Sequence, residues 1–437
     1  MEAAAVPLWS SRRARELAAF AGLGGLAACS GAIVAAAENG LHTLVPSATR
    51  AYPGWLRGPL SEFGLAIDSS GVAWLVVAMC ACYAIVLVCA DAVSARTGIV
   101  VIVGLHVLFM LGPPLLSSDV FGYVDLARLG TLHGIDPYSS GATPVPPDPV
   151  HLYRRWHSDL PSPYSPVFTL VSYALVPLGV AGGLWSYKVL AAVGSLAAVW
   201  LVWRCASALG RDPLKAALFV GLNPVLLLFG VAGDHNDFLA VVPAMAAIYL
   251  VIVGRERVSG GLLMLAAAFK IPLAMPFLFA AVRPGARRRA LVTGAAIALA
   301  AFAVVSIAVF GSHADGFVNA IREQQNQVAI YSVPNQVGVG LGLGGITAGI
   351  RLVAQAALIA TLLLALRAAW RGADWIAAAG WTMFALLVTT AWLLPWYVTW
   401  LLPLAAIGGD RRLRLASLAL VAYVVITRVT IWASLPT

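Results

Sequence analysis

The sequence predicts an all-α polytopic membrane protein of about eleven transmembrane helices, with added re-entrant or interfacial helices and one long extracytoplasmic loop. Three observations predict it. Of 437 residues, 61% are hydrophobic and 11% charged, a balance that excludes soluble domains of ordinary composition. Apolar runs of about 20 residues, the length that crosses the hydrocarbon core, recur from end to end. The arginines behind the net charge of +9 fall in short loops between those runs, where they read as topology determinants and not as a nucleic-acid footprint.

Taken in order, the expected spans are 16–37, 70–92, 97–115, 186–209, 216–232, 238–254, 290–310, 341–366, 375–394, 397–409 and 415–433. Basic clusters at Arg12, Arg13 and Arg15, at Arg96, from Arg204 to Lys215, at Arg255 and Arg257, from Arg283 to Arg289, at Arg367 and Arg371, and from Arg411 to Arg414 assign those loops, and the N-terminus, to the cytoplasmic side of the plasma membrane. The first cluster resembles a signal peptide, but no small-residue cleavage site follows its apolar run, so that run is expected to stay as a first helix. Cys29, Cys80, Cys82, Cys89 and Cys205 all lie inside apolar runs, and no disulfide is expected.

Two apolar stretches do not fit as crossings. Basic clusters flank 258–282, which puts both its ends inside, and 165–182 begins and ends outside. Pro272 and Pro276 break the first, Pro163 and Pro166 the second, and irregular backbone at membrane depth needs a covering of protein or a wet cavity. Both are expected to line such a cavity, and apart from Lys270 the spans read as nearly clean of ions. Polar stretches 38–69, 116–164 and 311–340 remain outside, and the middle one carries Asp119, Asp125, Asp136, Asp148 and Asp159. No internal repeat of the kind that marks secondary transporters is visible.

Chemistry concentrates at four places. Asp119, in Ser117-Ser118-Asp119-Val120-Phe121-Gly122-Tyr123, follows the third apolar run directly, so its carboxylate sits at the membrane boundary, where partial desolvation raises its pKa towards that of a useful base. The alternative is that Asp119 caps the next helix while Asp125 and Arg128 form a solvated pair. Asp234-His235-Asn236-Asp237, after Asn223-Pro224, packs four polar side chains at a helix start, where they cap it or meet a polar ligand; one His between Asp residues is poor metal-ligand spacing. No metal or other cofactor is assigned, and dependence on a divalent ion stays open. Lys270 interrupts an apolar run just before Pro272 with no acidic neighbour in sequence, so it either meets an anion such as a phosphate or snorkels to the cytoplasmic interface. Tyr331 to Gln336 and Pro395 to Trp400 offer aromatic faces and amides that suit a sugar or, alternatively, an interfacial belt.

In chain order, Asp119-Val-Phe-Gly-Tyr123, Gly134-Ile-Asp-Pro-Tyr138, Pro163-Tyr-Ser-Pro166, His235-Asn-Asp237, the Phe-Lys-Ile-Pro around Lys270 and Pro395-Trp-Tyr397 resemble the GT-C superfamily of lipid-linked glycosyltransferases, and within it the mycobacterial and corynebacterial α-1,6-mannosyltransferases that use polyprenyl-phosphate mannose. The resemblance covers roughly residues 100–410. It implies a single GT-C-like domain whose catalytic loops are 116–164 and 311–340, with the active site outside. It implies inverting transfer from a polyprenyl-phosphate sugar to a cell-envelope mannan or lipoglycan acceptor, with Asp119 as the base. Substrate contacts are then expected from Tyr123, Asp125, Arg128, Asp136, Tyr138, Tyr164, His235, Asn236, Asp237, Lys270, Arg322, Tyr331, Asn335, Gln336, Trp396 and Tyr397. Competing readings are transfer of another sugar, α-1,2-mannosyl or arabinofuranosyl, a transporter or flippase of lipid-linked sugars, and an assembly subunit without catalysis. A transporter needs polar groups through the whole membrane depth, whereas here they crowd one face.

Overall fold

The computed structural model describes residues 11–38, 44, 53–139, 146–153 and 162–434; Asp159 and part of the proline-rich run 143–149 lie outside them. Every regular element among the described residues is helical. In chain order the α-helices are α1 (Arg12–Glu38), α2 (Ser69–Val88), α3 (Ala95–Leu111), α4 (Asp119–Leu132), α5 (Pro166–Leu175), α6 (Gly179–Ala208), α7 (Pro213–Gly221), α8 (Phe238–Ile252), α9 (Glu256–Phe269), α10 (Pro276–Val282), α11 (Arg288–Phe310), α12 (Gly316–Asn326), α13 (Val333–Gly340), α14 (Ala348–Trp370), α15 (Trp375–Thr389), α16 (Val398–Ile407) and α17 (Arg411–Ser434). Side-chain oxygens of Asp68, Ser94, Ser165, Asp212, Thr347 and Asp374 accept from backbone N–H groups of the first turn and fix where α2, α3, α5, α7, α14 and α15 begin.

Five helical stretches among the described residues are long and apolar enough to cross a membrane: Arg12–Glu38, Ser69–Val88, Pro166–Ala208, Arg288–His313 and Ala348–Trp370. The molecule is a membrane protein, and α14 makes the point locally: Leu352, Val353, Leu363 and Leu364 are each at least 60% exposed, a face that water would not tolerate.

Several expected spans are shorter or broken. The run 216–232 is not one helix, because α7 stops at Gly221 and Pro224 supplies no N–H; Asn223 Oδ1 bridges the break by accepting from Val225 and Leu226, and the chain continues as a π-helical turn, Leu226–Val231. The stretch 165–182 resolves into α5, one turn at Val176–Leu178, and the start of α6. In 258–282, α9 ends at Phe269, Lys270 is extended, a 3-10 turn covers Ile271–Ala274, and α10 follows. Arg283, at the far end of α10, donates to Glu256 at the start of α9 at 2.9 Å. The segment therefore leaves and returns to one place, as a hairpin with Lys270 towards its tip.

Ion pairs gather the basic loops at one end of the bundle. Arg15 and Lys215 both pair with Asp91, and Arg211 pairs with Asp374, which also accepts from the backbone of Gly409. Asp119 lies past the opposite end of α3, about 25 Å along the helix from that level.

The hairpin is placed by glycine. α9 packs on α11 and α8, and a Cβ at Gly260 or Gly294 would collide with the carbonyl of Leu291 or Arg257, so the two helices touch backbone to backbone. Gly294→Val is expected to destabilise the protein by about 1–3 kcal/mol, since neither backbone can yield. A melting temperature in lipid nanodiscs equal to that of the parent would show that α9 and α11 separate at no cost.

Candidate active site

The local chain path brings Asp119 into position. The segment after α3 turns through Leu116 at φ 62°, Ser118 flanks the helix start, and Asp119 is the first residue of α4 and not its cap; its N–H donates to Ser117 Oγ at 3.2 Å. The carboxylate is thereby left free of capping and faces a cavity of about 500 Å³. Tyr164, Lys270, Trp396 and Tyr397 line the same cavity, with Trp400 beside them. Its other walls are largely apolar, from Phe317 and Ile321 on α12, Ile346, Leu358 on α14, and Leu386, Leu387 and Leu394.

Behind this lining stands the 234–237 turn. His235 is buried and stacks on Trp396, ring centroids 3.7 Å apart and planes 21° apart, with Nδ1 3.7 Å from Asp119 Oδ2. Asp237 accepts from Trp400 Nε1 at 2.7 Å, and its second oxygen lies 4.0 Å from Lys270 Nζ. The Lys270 ammonium, 5.9 Å from the Tyr164 ring centre, points into the site and not towards the basic loops. Its acidic neighbour, invisible in sequence, is Asp237. Trp400 is likewise no belt residue: it is buried, and its indole is committed to Asp237.

Burial, opposed by Lys270, pushes the Asp119 carboxyl up to about 6. Burial likewise raises Asp237, with Lys270 and the Trp400 N–H resisting. It holds the His235 imidazole well below its ordinary range, helped by the Lys270 charge, so the ring is neutral; neither of its nitrogens has a hydrogen-bond partner among the described residues. A carboxylate able to take a proton near neutrality and a cation thus share one pocket, with a neutral imidazole stacked behind its Trp396 wall.

The remaining sequence candidates divide. Tyr123 is buried behind Tyr164, against Phe168 and Tyr187, and Asn236 is buried in the turn with no hydrogen-bond partner for its Oδ1 among the described residues. Tyr138 donates to the Tyr164 carbonyl at 2.9 Å and contacts Thr169, while Asp136 accepts from the Tyr138 N–H and meets His313 at 2.7 Å, so this pair shapes the wall from outside. Asp125 and Arg128 do not line the cavity and do not pair with each other: Asp125 meets His151 at 2.9 Å, and Arg128 clasps Asp148 at 3.0 Å. Arg322 turns to Asn319, and Tyr331 receives the Tyr423 hydroxyl on its carbonyl. Asn335 and Gln336 spend their amides on the Ile330 carbonyl.

Sequence reasoning missed three residues. Arg351, in the first turn of α14, is the second cation of the cavity, and the signal was an arginine ten residues into an apolar stretch. Trp392 lines the cavity with a buried indole N–H that has no partner among the described residues. Lys188, fully buried in α6, is a further ion inside a run that the sequence reads as nearly clean of them. Among the described residues no three His, Cys, Asp or Glu side chains come together as a metal-ligand set.

Comparison with known proteins places this architecture. The chain is 30% identical over 337 residues to alpha-(1->6)-mannopyranosyltransferase A of Mycobacterium tuberculosis, covering 71% of this chain and 65% of that protein. It is 25% identical over 342 residues to alpha-(1->6)-mannopyranosyltransferase B of Corynebacterium glutamicum, covering 68% and 56%. The chain therefore spans a little over half to about two thirds of the length of these relatives. No solved structure matches. Residues 327–431 match a family described as the MptB C-terminal domain, and residues 21–286, which hold Asp119, the 234–237 turn and Lys270, match one described as alpha-(1->6)-mannopyranosyltransferase, N-terminal domain. On that match the chain belongs to the alpha-(1->6)-mannopyranosyltransferase family.

Proposed function

We propose that the chain transfers mannose, with inversion, from a polyprenyl-phosphate donor to a mannan or lipoglycan acceptor, forming an α-1,6 linkage on the outer face of the plasma membrane. The observation that carries the reading is the pairing, in one cavity with apolar walls, of a carboxylate raised towards neutrality with the cations Lys270 and Arg351. A lipid-linked sugar phosphate matches each part: chain against the apolar wall, phosphate at a cation, sugar against the aromatic rings. The about eleven crossings read from the sequence and the loops 116–164 and 311–340 as catalytic loops belong to the same proposal. So does the outer-face location, which rests on the site lying at the end of the bundle opposite the basic loops.

In this mechanism Asp119 takes the proton of the acceptor hydroxyl as its oxygen attacks the anomeric carbon. The bond from that carbon to the phosphate oxygen breaks on the opposite face, and its electron pair leaves with the polyprenyl phosphate. One inversion needs one base and no second nucleophilic carboxylate, and an α product then requires a β-linked donor. Lys270 stabilises the phosphate as it gains charge, and His235, stacked on Trp396, keeps a neutral polar group beside the base.

The test is transfer in vitro from matched polyprenyl-phosphate mannose and arabinose donors to a mannan-type acceptor. Labelled mannose in the product is expected. Preference for the arabinose donor overturns the sugar assignment, and no product with either donor, in protein that moves the lipid across vesicles, makes the chain a transporter.

A further inference from the structure

Lys188 lies nine residues into α6, about 14 Å along its axis, and is fully buried. Its ammonium donates to the Gly112 carbonyl and sits 5.1 Å from the Trp185 ring centre. The carboxylates whose charges face it are Asp234 and, at the end of α1, Glu38. Neither oxygen of Asp234 has a hydrogen-bond partner among the described residues, and Lys188, which makes no direct ion pair with it, is the positive charge that acts on it from nearby. A buried lysine is costly to insert, and this one spends its charge on two segments that lead into the site.

Gly112 opens the segment that ends at Asp119, and Asp234 opens the turn that carries His235 and Asp237. The two segments are already joined by the Leu115 N–H, which donates to the Ala232 carbonyl at 2.7 Å. Each contains one non-glycine residue in the left-handed region, Leu116 at φ 62° and Asp234 at φ 54°, and among the described residues there are no others. Backbone of this kind persists only where its surroundings over-determine it, and for leucine no local side-chain hydrogen bond offsets the strain.

We propose that Lys188 is a positioning residue: from α6 it holds the Gly112–Asp119 segment against the Asp234–Asp237 turn and so sets the 3.7 Å separation of Asp119 and His235. The inference rests on Asp119 and its neighbours acting on substrate, as proposed above. Lys188 touches neither substrate nor reacting atoms; it acts through backbone that would otherwise relax out of the left-handed region.

The test compares Asp119→Asn, Asp234→Asn and the charge-neutral pair Lys188→Met with Asp234→Asn, each in lipid nanodiscs, by melting temperature, donor Kd and single-turnover rate with polyprenyl-phosphate mannose. Asparagine tolerates the left-handed conformation, and the pair removes the ammonium together with one of the two carboxylates that face it, leaving Glu38, so the melting temperature is read first and rates are compared in the variants that melt with the parent. The pair is expected to melt with the parent and bind donor within about threefold, yet to turn over about ten- to a hundredfold more slowly, the scale on which a misplacement of about 1 Å acts. Should the pair fail to fold, Asp234→Asn alone decides by the same split between rate and Kd. Parent-level turnover in the folded variants overturns the proposal while a slow Asp119→Asn leaves the base assignment standing. Parent-level turnover in Asp119→Asn removes the base, and slow Lys188 and Asp234 variants then still mark the clamp as setting the site.

Discussion

Asp119→Asn is expected to bind the lipid-linked donor as the parent chain does and to turn it over at least about a hundredfold more slowly. The amide keeps the shape and cannot accept the acceptor's proton. The parent's pH dependence supplies an independent check, because burial places the Asp119 carboxyl at about 6. A base works deprotonated, so turnover should fall as pH drops through about 6, and that acid limb should be missing from the residual activity of Asp119→Asn. Stability has the opposite sign: the folded chain holds this proton at pH values where the unfolded chain has released it, so the group favours folding at low pH and that advantage fades as pH rises through the same window. Near-normal turnover in Asp119→Asn, or an acid limb that survives it, would remove Asp119 from the mechanism.

Lys270→Met is expected to weaken donor binding by about ten- to a hundredfold, the worth of a hydrogen bond to a charged group. Lys270→Arg should fall between, because the guanidinium keeps the charge but is larger and planar. Acceptor affinity should barely move. Lys270 also lowers the Asp119 carboxyl, so its removal should shift the acid limb of turnover to higher pH than in the parent. If both substitutions leave donor binding and the acid limb unchanged, the phosphate lies elsewhere in the cavity, with Arg351 and Trp392 the next groups to alter.

The helical character of the chain was legible because apolar run length is a local property, and so were the two prolines that force α9 and α10 apart around Lys270. Asp119, Lys270, Trp396 and Tyr397 were legible as candidates for the same reason: each stands out against its immediate neighbours. What sequence did not reveal was pairing. Asp125 and Arg128 sit three residues apart and look like partners, yet their ions are His151, 26 residues on, and Asp148, 20 residues on. Asn335 and Gln336 look like sugar ligands, but a turn needed their amides first. Lys188 passed unnoticed because its counter-charges come from the end of α1 and from the Asp234 turn, neither near it in sequence.

The stacking of His235 on Trp396 and the bond from Trp400 to Asp237 carry a consequence for biosynthesis. The earlier partners emerge from the ribosome more than 150 residues before the later ones, and domains form in the order of synthesis. A nascent chain that has inserted everything up to α15 already holds Asp119, the 234–237 turn and Lys270, but has no aromatic floor beneath them. The polar turn then lacks both its stacking surface and its indole donor until α16 arrives, so the site proposed above is completed only late in synthesis, and a product truncated before Trp396 is expected to occupy the membrane without catalysing the proposed transfer.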